Sequence, residues 1–391
     1  MKIVVAPNAF KDSLTAAQAA EAISRGLRTV LPEIRIARVP IADGGDGLFQ
    51  VFHSVFGGEI IDLAVTGPLG EKREAQYLFI PESRTAVIEM ARASGLALLK
   101  PEERNARMTT TRGTGELILA ALERGAGHVI VGIGGSATND GGVGFASALG
   151  IGFLDAAGRP VRPVGEDLGK IRRIDLSGRR FDPAGVAFEA VCDVDNPLCG
   201  ERGAAAVYGP QKGASPEDVK FLDAGLAGLA ELVREQLGLD LAGRPGSGAA
   251  GGLGFGLAAF AGARLRPGVE VVLDMVGIDR ELADADLALT AEGRIDFQTA
   301  FGKGPAGVGG RARKKGVPCL ALAGGVAGNI ANLHEIGIDA CFSLCPGPMT
   351  LAEAMAGADE LLANAAAQAF RSFLAGRRGA SRAGPEGGRG G

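Results

Sequence analysis

The chain has 391 residues, with 41 Lys and Arg against 45 Asp and Glu, a net charge of −4, and 46% apolar against 22% charged side chains. At about 100 to 200 residues per domain this is enough chain for two or three packed cores, and the charge balance excludes a protein whose main task is to coat nucleic acid or an anionic membrane. With no Trp and only 2 Tyr it lacks stacking platforms for bases, and its 63 Gly have no every-third-residue period, which excludes a collagen-like fibre.

In chain order, Lys2 to Ala6 reads as a strand. Thr15 offers an N-cap with Gln18 three residues on, and Ala19, Ile23, Leu27 and Val30 repeat at helical spacing until Pro32 stops the helix. Ile34, Ile36 and Val39 make the next strand, which runs into Ala42-Asp43-Gly44-Gly45-Asp46-Gly47 and a helix ending near Gly57-Gly58. Glu59 to Val65, Glu74 to Ile80 and Thr85 to Met90 read as successive strands of a mixed sheet, followed by a helix from Gly115 to Arg124. His128 to Ile133 is a strand that feeds the loop Gly134-Gly135-Ser136-Ala137-Thr138-Asn139-Asp140-Gly141-Gly142, and Ala187 to Cys192 is another, ending in Asp193-Val194-Asp195-Asn196-Pro197. Ser215, Pro216 and Asp218 start a helix with Val219, Leu222, Leu226, Leu229 and Val233 on one face. Leu287 to Thr290, Val317 to Leu322 and Ile338 to Phe342 are strands, and a last helix spans about Leu351 to Leu374. The expected fold is α/β: a Rossmann-like parallel-sheet domain formed by 1–65 and 285–375, interrupted by a second α/β domain with a mixed sheet at 66–284, and a disordered tail at 376–391.

The uncharged stretch Pro245 to Ala263 is dominated by Gly and Ala and is read as soluble chain, not as a membrane span. The start MKIVVAPNAF shows no signal-peptide core, so a cytoplasmic protein is expected. Cys192, Cys199, Cys319, Cys341 and Cys345 form no paired C-x-x-C set and read as buried thiols in a reducing compartment. His53, His128 and His334 are scattered, which leaves no support for a Ser-His-Asp or histidine-metal centre.

In open α/β sheets ligands bind beyond the carboxyl ends of strands, where glycine turns bring backbone N–H groups to anions. The loop opening at Gly132, with Gly134, Gly135, Ser136, Thr138 and Asn139, is therefore the expected phosphate cradle, against the plainer possibility of a tight turn. Asp193 and Asp195, one residue apart past a buried strand, are candidate Mg²⁺ ligands, with a solvated loop as the alternative. Phosphoryl transfer also needs cations, for which Lys11, Lys212, Arg294 and Lys303 stand in or beside glycine-rich turns. Three other matches fail. Gly302-Lys303 is no Walker A loop, because Phe297 and Gly304 occupy its Gly and Ser/Thr positions. Asp296-Phe297-Gln298 lacks the companion motifs of a protein kinase. Gly246-Ser247-Gly248-Ala249-Ala250-Gly251 fits the dinucleotide expression, yet no strand precedes it.

Taken together, Ala6-Pro7 with Phe10-Lys11 and Ser13-Leu14, Ala42-Asp43-Gly44-Gly45, Gly113-Thr114-Gly115-Glu116, Gly132 through Gly142, Cys192 through Leu198, Gly209 through Ala214, and Glu292 through Asp296 with Gly302-Lys303 resemble the bacterial glycerate kinases of the first type. The likeness covers nearly the whole chain except the tail. It implies ATP-dependent phosphorylation of D-glycerate, 2-phosphoglycerate being the favoured product, in a cleft between two domains. Asn8 and Ala9 stand where relatives commonly have Asp and Ser, and Asp12 and Ala291 where they have Gly, so position 8 receives no acidic role.

From charge and spacing, the glycine loop with Lys212 and Lys303 is expected to hold the phosphates of ATP, while Asp193 or Asp195 holds Mg²⁺. Arg294 and Lys11 are expected at the glycerate carboxylate, and Asp43 or Asp193 at its reacting hydroxyl. Two rival readings use the same α/β plan. A nicotinamide-dependent hydroxy-acid dehydrogenase would show an absorbance change without ADP release; a non-enzymatic binding protein for small acids should carry a signal peptide.

Overall fold

The computed structural model describes residues 1–41, 47–296, 299, 304–328 and 330–382. The chain divides into two compact units, one made of Met1–Asp43 with Val269–Gly391 and the other of Gly44–Gly268. It enters the first unit with β1 (Lys2–Pro7) and β2 (Arg35–Arg38). The helix between them, Ala16–Val30, opens with the expected capping box, Gln18 N donating to Thr15 Oγ1 at 3.2 Å and Thr15 N to Gln18 Oε1 at 2.9 Å.

The second unit carries β3 (Glu59–Thr66), β4 (Lys72–Ile80), β5 (Thr85–Glu89), β6 (His128–Gly132), β7 (Gly152–Leu154), β8 (Arg173–Asp175), β9 (Ala187–Val191) and β10 (Arg264–Arg266). Six of them form a sheet in the order β10-β9-β6-β5-β4-β3. β3, β4 and β5 pair antiparallel, whereas β5, β6, β9 and β10 run parallel, so the sheet is mixed as expected. β7 and β8 make a separate antiparallel ribbon. The core packs Val129, Val131, Phe145, Leu226 and Phe255 into one cluster.

Back in the first unit, β11 (Leu287–Ile295), β12 (Cys319–Val326) and β13 (Ala340–Ser343) complete a five-stranded parallel sheet in the order β13-β12-β11-β1-β2. This is a doubly wound arrangement in which the interior strand β1 is buried along its whole length, which is why its sequence is apolar from Ile3 to Pro7. Among the described residues no helix is long and apolar enough to cross a membrane.

The unit boundaries, near 43 and 268, differ from the sequence estimates at 65 and 284. β3 pairs over its full length with β4, from Glu59 opposite Phe79 to Thr66 opposite Lys72, which commits it to the mixed sheet. At the other end, the helices Gly268–Met275 and Ile278–Leu282 are tied to the helix Gly304–Lys314 by Arg311. Its guanidinium bonds Asp274 Oδ1 at 2.8 Å and also reaches Glu270 and Asp279. Burial works against the charge on Arg311, but its bonds to Glu270 and Asp274 outweigh this and raise its already high pKa. Arg311→Met should destabilise the protein by about 1 to 3 kcal/mol, because three partly buried acids lose their common cation. A differential scan reads this as a lower thermal midpoint; an unchanged midpoint would show that the network contributes nothing net.

The last helix, Ala358–Arg382, runs past the expected end at Leu374. Residues 376–382 are helical where a disordered tail is expected. Arg377 accounts for part of this, donating to Asp286 Oδ1 at 2.8 Å and lying over the Phe373 ring.

Candidate active site

The parallel strands β5, β6 and β9 end level with one another, Glu89 opposite Gly132 and Gly132 opposite Val191. The segments leaving those ends enclose a pocket of about 630 Å³. Gly132, Gly134, Gly135 and Ser136 line it together with Asp193, Glu89, Leu48 and Ala250. A pocket past the carboxyl ends of adjacent parallel strands is where this sheet geometry leaves backbone donors unpaired and side chains convergent.

The glycine loop is pinned at both ends. Leu96 N donates to Gly135 O at 2.8 Å and Ala137 N to Ser94 O at 2.9 Å, which lays the loop against the segment after β5. Further on, the fully buried Asp140 accepts from Thr111 N at 2.7 Å, Thr111 Oγ1 at 2.8 Å, Gly142 N at 3.1 Å and Gly144 N at 3.2 Å. Burial pushes the Asp140 carboxyl above the usual range, and these donors pull the other way. Its carboxylate is spent on closing the loop into the helix Val143–Ala148.

Lys212 is buried, 1% exposed, and its Nζ donates to Ser136 Oγ at 2.8 Å and to Thr138 O at 2.7 Å. Burial pushes this ammonium down to about 7, with the Asp140 charge opposing the shift. Thr138 and Asn139, expected at the phosphates, are fully buried and do not line the pocket. The Thr138 hydroxyl donates to Ala250 O at 3.4 Å, and neither end of the Asn139 amide has a hydrogen-bond partner among the described residues.

The Asp193/Asp195 pair is split. Asp193 lines the pocket, its Oδ1 accepting from Gly268 N at 3.0 Å. Asp195 does not, and both its oxygens lie 3.2 Å from Arg202 on the surface. Among the described residues no three His, Cys, Asp or Glu side chains gather as a metal-binding group. The two carboxylates of the pocket lining, Asp193 and Glu89, suit Mg²⁺ carried in on phosphate oxygens and water, and do not make a dedicated protein cage.

Lys11 and Arg294 belong to the other unit. There Lys11 follows β1 and Arg294 lies near the carboxyl end of its parallel neighbour β11. Arg294 is 72% exposed, with Nε 3.4 Å from Asp296 Oδ2. Asp43 and Lys303 lie outside the described residues.

Two parts of the pocket escape the sequence reading. Glu89 accepts from Phe49 N at 3.2 Å, holding the start of the helix Leu48–Phe56, and from Arg92 Nε at 2.8 Å. The signal for it was the one that singled out Asp193, an acid closing a strand. Ala249 and Ala250 belong to the run set aside as a failed dinucleotide motif. Ala250, Gly251 and Gly252 there take φ of 55°, 67° and 88°, a left-handed turn that packs on the glycine loop through the Gly141 N to Gly251 O bond of 3.0 Å.

Residues 3–374 match the model of the Glycerate kinase family. The chain is 48% identical over 366 residues to a glycerate kinase of Halalkalibacterium halodurans, covering 93% of this chain and 96% of that protein. It is 43% identical over 382 residues to the glycerate 2-kinase of Escherichia coli K12, covering 97% of this chain and 100% of that one. A crystal structure described as a candidate glycerate kinase 2 from Salmonella typhimurium LT2 superposes with a TM-score of 0.84 at 43% identity, over 97% of this chain and 99% of the other. A pocket built on a glycine loop and an acid at level strand ends, in a chain alike over nearly its full length to these enzymes, leads to one conclusion: the protein is an enzyme of the glycerate kinase family.

Proposed function

We propose that the protein phosphorylates D-glycerate with ATP and releases 2-phosphoglycerate, in the cytoplasm. The observation that carries this is the pocket at the level ends of β5, β6 and β9, which Gly134, Gly135 and Ser136 line together with Asp193. The backbone of the glycine loop and the Ser136 hydroxyl offer donors to the phosphates. Asp193 contributes the carboxylate, either accepting the proton of the reacting hydroxyl or holding Mg²⁺. Bound Mg²⁺ would supply neutralisation of the charge on the phosphate oxygens. Lys11 and Arg294 are assigned to the glycerate carboxylate by charge, and Asp43 and Lys303 keep the roles their motifs suggest. The name of the Escherichia coli relative, a glycerate 2-kinase, supports the regiochemistry. The five unpaired cysteines support a reducing compartment.

Incubating the purified protein with Mg·ATP and D-glycerate and identifying the product by ³¹P and ¹³C NMR tests this directly. The expected product is 2-phosphoglycerate, formed in step with ADP. Formation of 3-phosphoglycerate would overturn the regiochemistry, and no glycerate-dependent ADP release would overturn the activity.

A further inference from the structure

Lys212 feels the charge of Asp140 but makes no ion pair. Among the described residues no carboxylate lies within ion-pair distance of its Nζ, and its acceptors are a hydroxyl and a backbone carbonyl. Removing an ammonium from water costs several kcal/mol, which two neutral acceptors do not return in full, so the group is not explained as a stabiliser of the fold. Its donor chemistry gives it another use. In its charged form, which an oxyanion beside Ser136 favours, the ammonium has three N–H donors and no acceptor, so in the Lys212–Ser136 bond the Ser136 oxygen is then the acceptor. The Ser136 proton is then free to point elsewhere, and among the described residues it finds no acceptor. Ser136 is only 8% exposed and lines the pocket. A serine hydroxyl left to itself can turn either way, as donor or acceptor, and would meet an anion with its lone pairs part of the time.

We propose that Lys212 is a positioning residue that fixes Ser136 as a hydrogen-bond donor to an oxyanion bound in the pocket, without touching that oxyanion itself. The same ammonium bonds Thr138 O, so it also sets the turn that carries Ser136. Polarisation along the chain from ammonium to hydroxyl to oxyanion strengthens the outer bond, and an anion arriving beside Ser136 in turn stabilises the buried charge. Lys212 and the pocket are thereby linked through one hydroxyl. This rests on the reading of the pocket as the phosphate site of ATP, and it replaces the expectation that Lys212 meets the phosphates directly.

The test is a double-mutant cycle in the full-length protein with Mg·ATP as the probe, reading the Kd by calorimetry and the two KM values by coupled assay. Lys212→Met and Ser136→Ala should each weaken ATP by about tenfold or more, the scale of a lost bond to a charged group. The double variant should be no weaker than the worse single one, and the KM for glycerate should stay within about twofold throughout. Multiplying losses, or a loss shared equally by both substrates, would overturn the link. Should Lys212→Met fail to fold, Ser136→Thr decides: it keeps the hydroxyl and should bind ATP nearly as the parent does, whereas Ser136→Ala should not, and equal affinities for the two would overturn the proposal. Val194, 42% exposed at the pocket lining, separates the two levels of inference. A Val194→Trp variant that binds ATP normally would overturn the phosphate reading of the pocket; one that is impaired while Ser136→Ala and Lys212→Met are normal would overturn the positioning role alone.

Discussion

Asp193→Asn is expected to lower kcat by roughly 10²-fold or more while leaving the thermal midpoint unchanged. The fold should survive because the Asn side chain keeps an oxygen where Asp193 Oδ1 accepts from Gly268 N, so the segment after β9 retains its anchor. What disappears is the charge. Whether that charge takes the proton of the reacting hydroxyl or holds Mg²⁺ against the phosphates, a neutral amide does neither at neutral pH. Asp195, two residues on, is not placed to compensate, since it lies outside the pocket and is engaged by Arg202. The companion change Asp195→Asn should therefore have a small effect on turnover. Steady-state rates with both substrates saturating, together with a melting curve, check the pair. A normal kcat in Asp193→Asn with a normal melt would remove Asp193 from the chemistry.

The contrast between these two acids shows what was and was not legible in the sequence. Strand ends were legible to within one residue: the strands expected to end at Ile133 and Cys192 end at Gly132 and Val191, and the rule that ligands gather beyond such ends pointed to the glycine loop and to Asp193. Which of two neighbouring acids lines the pocket was not: Asp193 is anchored by Gly268 N, 75 residues further on, a tertiary contact that spacing does not reveal, while Asp195 meets Arg202 at the surface. Within the glycine loop the side chains were sorted by chemistry alone, and packing sorted them differently. Ser136 lines the pocket, while Thr138 and Asn139 are enclosed and Asp140 is consumed by Thr111 and the loop's own amides. Glu89 was hidden because Met90 prolongs the apolar run and blurs the strand end. The unit boundaries were displaced because strand pairing and the Arg311 network, neither visible in composition, decide where β3 and the helices at 268–282 belong.

The sign of φ is a further property that residue patterns hide, and it underlies the second large effect. Gly251 sits in the left-handed turn at φ +67°, and a Cβ added there would lie 1.9 Å from Thr138 O and 2.6 Å from Asn139 Cα. Both obstacles are backbone of the glycine loop, so no side-chain rotation relieves them. Left-handed backbone alone costs an alanine about 1 to 2 kcal/mol, and overpacking against fixed main chain adds about 1 to 3 more. Gly251→Ala should therefore lose about 2 to 5 kcal/mol in denaturant titrations. Because Thr138 O is also an acceptor for Lys212, any molecule that stays folded should bind ATP poorly. Ala250 supplies the control on the same turn. It already has a Cβ at φ 55°, so Ala250→Gly relieves strain and should be neutral or stabilising by about 1 kcal/mol. If both variants lose stability equally, the penalty comes from the added flexibility or bulk of the segment as a whole. If Gly251→Ala melts and binds ATP as the parent does, the turn yields easily and cannot be what holds the glycine loop in place.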